Sequence, residues 1–476
     1  MSEDAGPGGP APTGDGAAGS PDPGAVTVVR LGDLRRTVAA TAVGNMIEWF
    51  DFGVYSFTAV TIGRVFFPEA SQSAQLLSSF ATFAAAFLVR PLGGLFFGPL
   101  SDRIGRKRVL VFTVITMSLG TFAVGLLPGY AQVGVWAPVL LLLARLIQGF
   151  STGGEYGSAM TFITEHSPDR RRGFVASWLE FGTLTGFVLG ASLVTLLTSV
   201  LSTADLDSWG WRIPFLVAGP LGLVGLYLRL RLTETPAFEH LENRAPKRSA
   251  GLRREAKELV RHQRRPLLVC LGLVLVLNVP SYMLTAYLPS YLSAQLGFSQ
   301  NTSLIVVVVV LVILMVLLQF AGRLSDRVGR RPVMMTGCVL LVVLSVPAFL
   351  IIQQRTVVAV FFGTLLVGLM YLCFDSTEPG TLPTLFPTRV RAGALSITYN
   401  ISTSLFGGTT PLVAAALVDG THSLIAPAFL LVVAGLVGGV AVYFAPETAR
   451  RPMPAAPPVV ATEEEAAAIR GGAPAS

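Results

Sequence analysis
The chain has 476 residues, of which 52% are hydrophobic and only 13% charged, and its mean hydropathy is +0.63. Soluble globular proteins carry roughly 25% charged residues, so the composition excludes a large soluble enzyme, a disordered chain and a nucleic-acid reader. The net charge of +7 and isoelectric point near 9.6 resolve, along the chain, into a topology signal and not a face for polyanions.

Residues 1–29, within a tail expected over 1–34, are rich in Gly, Pro, Ala, Ser and Asp, with no basic stretch leading into an apolar core. That reads as a flexible tail and not a signal peptide. A bilayer-spanning helix needs ~20 apolar residues. Such spans lie near 37–62, 75–99, 108–128, 136–160, 173–199 and 211–230, making a first six-span unit over 35–231. A polar, Arg- and Lys-rich segment at 232–265 follows. Six more spans lie near 266–292, 302–322, 333–353, 357–380, 392–417 and 424–445, making a second unit over 266–447. Residues 448–476 carry no sustained heptads and read as a second flexible tail.

The 35 Lys and Arg residues concentrate in the tails, in alternate loops and in the central segment. Only Arg64, Arg212 and Arg355 fall at the opposite face, and Arg90 and Arg145 lie within spans. The positive-inside rule then places both termini and the central segment in the cytoplasm. Cys270, Cys338 and Cys373 sit in apolar runs at spacings that match no metal motif or disulfide framework. None of the four histidines lies in a span, so the usual near-neutral proton carrier is missing from the membrane.

The two units repeat. Residues 98–107 read GPLSDRIGRK and 322–331 read GRLSDRVGRR; SPDRRRG at 167–173 matches FPTRVRAG at 386–393; Glu234-Thr235 matches Glu447-Thr448. Parallel six-span repeats are the plan of one class of secondary transporters. In the first motif, Gly98 and Gly322 allow two helices to approach closely, and Gly105 and Gly329 permit a tight turn. Asp102 can cap a helix or pair with Arg106. Asp102, Arg103, Gly105 and Arg106, with Asp326, Arg327, Gly329 and Arg330, form a charged latch able to hold helix ends together in one conformation and release them in another.

With this loop the chain resembles the major facilitator superfamily. GNMIEWFDFGVYSF (44–57), FLVRPLGGLFFG (87–98), ARLIQGFSTGGEYG (144–157), SPDRRRGFVASWLEFG (167–182), WGWRIPF (209–215) and LTETPAF (232–238) resemble the metabolite:proton symporter family, and within it the proline and glycine-betaine osmoprotectant transporters. The likeness runs over roughly 35–450. It implies an all-α integral membrane protein of the plasma membrane, with twelve transmembrane helices in two pseudo-symmetric six-helix bundles. Spans one, four, seven and ten would line a central cavity.

Ionisable residues within a span are costly and default to a functional reading. On the first span, Glu48, Asp51 and Tyr55 share a ~60° arc, and Glu48 lies ~16 Å deep. Gln148, Thr152 and Glu155 share an arc on the fourth, beside Arg145. With no histidine available, proton coupling is expected at Glu48 or Asp51; the alternative is a structural pairing with Arg90 or Arg145. Arg145 is a candidate for a substrate carboxylate, with a permanent salt bridge to a first-span acid as the alternative. Arg90 is expected to pair with Asp51 or to serve a gate. Gln148, Tyr55, Trp49, Asn278 and Tyr282 are further substrate candidates, the aromatic faces suiting a quaternary ammonium. Glu155, Glu180, Asp375 and Glu378 lie toward the cytoplasm and are assigned to a gate. Gly182, Gly186 and Gly190 have the small-x-x-x-small spacing of close helix packing.

One clear cavity-side arginine against several acids favours a zwitterion over a di- or tricarboxylate. The expectation is a proton symporter importing proline or glycine betaine by alternating access. Alternatives are a symporter of a mono-, di- or tricarboxylate of the 2-oxoglutarate, citrate or shikimate type, and a non-transporting membrane sensor. The chain contains no G-x-x-x-x-G-K-[ST] loop, catalytic triad or metal cluster. No ATP, nucleic acid, metal, cofactor or enzymatic activity is therefore expected, and the proton is the coupling ion.

Overall fold
The computed structural model describes residues 26–104, 106–231, 263–388, 390–454 and 456–470. Most of the expected N-terminal tail and central segment (1–25 and 232–262), together with 471–476, lie outside the described residues.

Among the described residues, eight helices are long and apolar enough to cross a bilayer, and Thr203–Gly210 with Arg212–Tyr227 form a ninth bent by 42°. Val111–Leu126 and Trp136–Ser151 are shorter apolar helices. The first span, Leu31–Phe57, contains Glu48 and Asp51 and is less uniformly apolar. Together these make the expected twelve-helix fold.

The two halves repeat the same packing. The first span packs on the fifth (Arg172–Val200) and sixth (Arg212–Arg231), the second (Gln72–Ile104) on the fourth, and the third (Arg106–Leu126) on the sixth. In the second half the seventh span (Arg264–Tyr282) packs on the eleventh (Arg391–Ser402) and twelfth (Ala426–Phe444). The eighth (Gln300–Val328) meets the tenth (Val357–Asp375), and the ninth (Arg330–Ile352) meets the twelfth. The halves join where the fifth span meets the eighth and the second meets the eleventh and its continuation, Thr410–Thr421.

The surface is inverted relative to a soluble protein. Leu92, Phe96, Leu119, Leu143, Val343, Phe362 and Val440 are exposed, whereas Arg90, Arg145, Arg172, Arg330 and Arg391 are among the largest fully buried side chains. A bilayer solvates the former, and burying the latter requires partners from neighbouring helices.

Close approach depends on glycine in the fifth span. A Cβ on Gly186 would collide with the Met46 carbonyl and lie 2.8 Å from the Phe50 amide nitrogen, and one on Gly182 would strike the Ala42 carbonyl. The first span therefore lies against these glycines, as their spacing suggested.

Among the described residues of the expected tails there is some regular structure. Thr27–Val28 pairs in parallel with Val459–Val460, and Glu463–Arg470 is helical. The physical reasons are local. The Val459 amide donates to Asp169 Oδ2 at 3.1 Å, and both valines are buried. Thr462 Oγ1 accepts the Glu465 amide at 3.2 Å while Glu465 accepts the Ala461 amide at 3.0 Å, close to a capping box. The chain ends thus share one face, called here the terminal face.

Candidate functional site
The centre of the molecule is built from the first, second, fourth and seventh spans. Glu48, Asp51, Arg90, Arg145, Gln148, Asn278 and Tyr282 are each no more than 3% exposed. Glu48 and Asp51 stand one turn apart on the first span. Glu48 Oε1 lies 3.6 Å from Arg90 Nη2. Asp51 Oδ2 accepts from the Thr121 hydroxyl at 3.1 Å, which accepts from Gln148 Nε2 at 2.7 Å. Gln148 Oε1 in turn accepts from Arg145 Nη1. A relay therefore joins Arg145 to Asp51 through two neutral side chains.

Of the pairings considered for Arg90, the structure shows one with the other first-span acid. Arg90 faces Glu48 and not Asp51, and Arg145 makes no direct salt bridge with either first-span acid. The reason lies in the third span: Thr121 stands between Asp51 and Gln148 and takes up the carboxylate's hydrogen bond.

Aromatic rings enclose the two guanidinium groups. Arg145 Cζ lies 4.1 Å from the Tyr55 ring centroid and 5.5 Å from that of Phe83; Arg90 Cζ lies 5.3 Å from Phe87 and 5.5 Å from Phe52. Tyr55 donates its hydroxyl to the Ser79 carbonyl at 3.1 Å. Trp49 is fixed by its Nε1 donating to Asn45 at 3.1 Å, and its ring centroid lies 6.2 Å from that of Tyr282. Among the described residues no guanidinium covers Trp49 or Tyr282, one from each half. Asn278 donates to the Thr403 hydroxyl at 3.0 Å. Arg145 Nε and Nη2 and the Arg90 guanidinium nitrogens make no hydrogen bond to protein. Buried charged donors in this state are poised for an acceptor.

Nearer the terminal face, Tyr156 stacks on Tyr399 with centroids 4.5 Å apart and donates its hydroxyl to Glu180. Tyr371 donates to Asp375 Oδ1 at 2.6 Å. Glu378 is fully buried. The Glu155 side chain lies outside the described residues.

At the terminal face the second-half motif loop grips the first half. Asp326 accepts the Gly173 and Phe174 amides at 2.8 and 2.9 Å, occupying the N-terminus of the fifth span. Arg330 lies 3.4 Å from Asp326 and donates to the Gly380 carbonyl at 2.5 Å and to Thr448 at 3.1 Å. Gly329 has φ +109°, a conformation that favours glycine, and Arg327 is exposed. In the first-half motif, Gly105 and the side chains of Asp102, Arg103 and Arg106 lie outside the described residues.

Glu447 accepts amides from Arg330, Arg331, Thr448 and Ala449 at 2.8–3.1 Å. Burial alone would raise its pKa, but these four amides hold the carboxyl below its ordinary value. A lowered pKa contributes stability above the unfolded value and loses it as pH falls through the folded one. Thermal unfolding of E447Q is therefore expected below wild type at neutral pH, with the gap closing in acid; a gap independent of pH would contradict this.

Several residues that complete these arrangements carried no clear sequence signal. Thr121 and Phe83 sit in ordinary apolar runs, and Tyr156 and Tyr399 meet only through folding. Arg391 donates to Glu165 at 2.6 Å across the two halves, and Arg172 pairs with Asp169. Their signal was the repeated charged motif after the fourth and tenth spans. A cavity of about 270 Å³ lies on the face away from the chain ends, lined by Val60, Arg64, Gln72, Gln75, Leu76 and Ala294.

The chain was compared with known proteins. A family model described as sugar (and other) transporter matches residues 37–459. The proline/betaine transporter of Salmonella typhimurium is 44% identical over 453 residues, covering 94% of this chain and 90% of that protein. The glycine betaine/proline/ectoine/pipecolic acid transporter OusA of Dickeya dadantii is 44% identical over 449 residues, covering 93% and 89%. Among solved structures, the major facilitator superfamily proton:xylose symporter XylE, bound to 6-bromo-6-deoxy-D-glucose, aligns with TM-score 0.70 at 19% identity, covering 88% of this chain and 97% of that one. That likeness concerns the fold. The family match across both six-helix halves and the extent of these relatives bear out the resemblance drawn from the motifs: the chain is a multi-pass membrane transporter and belongs to the sugar (and other) transporter family, in the major facilitator superfamily.

Proposed function
We propose that the protein is a proton-coupled symporter of the plasma membrane, importing a small zwitterionic osmolyte such as proline or glycine betaine by alternating access. Its termini are then cytoplasmic, and it needs neither ATP nor a cofactor and catalyses no reaction. The relatives' names support the substrate class. The carrying observation is the buried Arg145 guanidinium with unbonded nitrogens, linked through Gln148 and Thr121 to Asp51.

The charge balance at this site explains coupling. Glu48 matches Arg90 and, when ionised, Asp51 matches Arg145. Protonating Asp51 leaves one unmatched guanidinium, and a substrate carboxylate restores neutrality. Proton and carboxylate therefore favour each other's binding. Trp49 and Tyr282 offer the substrate ammonium two ring faces not already covered by arginine. Because they belong to opposite halves, closing the halves around the substrate completes the site.

A second reading, a symporter of di- or tricarboxylates, draws on the presence of Arg90 as well as Arg145 near the centre. Glu48 beside Arg90 weighs against it. The test is uptake of labelled glycine betaine and proline into proteoliposomes under an inward proton gradient. Accumulation that collapses with a protonophore is the expected result. Uptake of 2-oxoglutarate or citrate in place of both would overturn the osmolyte reading.

A further inference from the structure
We propose that Glu180, Asp375 and Glu378 form a proton-holding site between the two halves, separate from Glu48 and Asp51, filled while the terminal face is closed. The proposal rests on proton coupling as read above and adds a second location for the proton.

Glu180 belongs to the fifth span and Asp375 to the end of the tenth, and the fifth span packs against the short helix that follows Asp375, so these fully buried acids from opposite halves share one interface. Asp375 Oδ2 makes no hydrogen bond, and an ionised carboxylate oxygen left buried and unpaired is costly, whereas a protonated carboxyl is neutral and can donate. The hydrogen-bonding contacts are hydroxyl donors: Tyr156 to Glu180, and Tyr371 to Asp375 at 2.6 Å. Glu378, on the short helix Glu378–Thr381, is fully buried with neither carboxyl oxygen hydrogen-bonded.

Among the described residues no basic side chain pairs with these carboxyls. Among the described residues the titratable groups from neighbouring elements near the cluster are Tyr156, Tyr371 and Tyr399, with Cys270 on the seventh span and Cys338 on the ninth toward Glu378. Arg90 faces Glu48, and Arg330 is engaged by Asp326, Gly380 and Thr448. Among the described residues no salt bridge reaches the three carboxyls, and no such group is arranged to hold a metal ion. Buried carboxylates without a cation take up protons.

The site is tied to conformation by where its members sit. Parting the halves at the terminal face would separate Glu180 from Asp375 and Glu378 and admit water to both sides. Each carboxyl then ionises and its proton leaves on that side. The aromatic contact from Trp49 to Tyr156, 6.2 Å between centroids, places this cluster directly beyond the central site.

Infrared spectroscopy of the full chain in lipid tests this without substrate, because protonated carboxyl groups have a C=O band that ionised carboxylates lack. At neutral pH the wild type is expected to show this band, and E180Q, D375N and E378Q each to lose part of it. A wild type without the band overturns the proposal, even if no variant folds. So does a band left unchanged by all three substitutions. In proteoliposomes, E180Q is expected to bring the proton-driven accumulation ratio of glycine betaine down to about one, the value left when the coupling between gradients is lost. Accumulation at the wild-type ratio would overturn the proposal. Failure of the wild type to accumulate glycine betaine would instead count against the osmolyte reading and leave the infrared result standing on its own.

Discussion

Replacing Arg145 by lysine is expected to lower proton-driven uptake of glycine betaine on the order of 100-fold, the equivalent of losing ~2–3 kcal/mol of charge-assisted contact. Lysine keeps the charge, so the substitution isolates geometry. The planar guanidinium lies 4.1 Å over Tyr55 and shares one nitrogen with Gln148, leaving Nε and Nη2 for a carboxylate. An ammonium is a compact point charge without the fork and cannot meet these demands together. Binding should weaken along with transport, because the contact is made in the bound state. Initial uptake rates and glycine betaine binding, measured on protein with wild-type thermal stability, decide the matter. Uptake close to wild type would remove Arg145 from the substrate site.

Asp326→Asn is expected to release the terminal face. The carboxylate accepts two backbone amides of the fifth span, Gly173 and Phe174, and also faces Arg330. An asparagine offers one carbonyl oxygen, and its amide group turns a donor toward one of those N–H groups. Hydrogen bonds to a charged partner contribute roughly 1.5–3 kcal/mol each. Losing one and opposing another should shift a two-state equilibrium by about 10- to 100-fold toward opening. Distances between spin labels on the fifth and eighth spans at the terminal face would lengthen in the variant. An unchanged distance distribution would show that other contacts, such as Arg391 with Glu165, hold the closure alone. Because Asp326 lies far along the chain from Glu48 and Asp51, substrate affinity should change only through this equilibrium.

Much of the architecture was legible because a bilayer imposes a simple rule: a crossing segment must satisfy its own backbone and present apolar side chains. Twelve apolar runs, a basic central segment and three repeated motifs specified two matched halves, and these halves show the same helix pairings. The small residues Gly182 and Gly186 announced a close helix contact for the same kind of reason, and the structure makes the first span the partner, since only a missing Cβ permits that approach. The regular structure near the C-terminus was not legible because it comes from contacts between distant segments. Val459 gains a strand partner at Thr27 and a carboxylate at Asp169, none of which is local.

The sequence by itself determined that Glu48, Asp51, Arg90 and Arg145 lie within the membrane, since helical rise and apolar flanks fix depth. It also determined that Glu180, Asp375 and Glu378 lie toward one face. Only the tertiary structure decided which charge meets which. Pairing depends on the rotation of each helix against its neighbours, so Thr121 on a third helix redirects Asp51 toward Gln148 and leaves Glu48 to Arg90. Likewise only the packing of the fifth span against the second half brings Glu180 and Asp375 to one interface. Helical periodicity places side chains around one axis; the gathering of acids from opposite halves is set by how two such axes are docked.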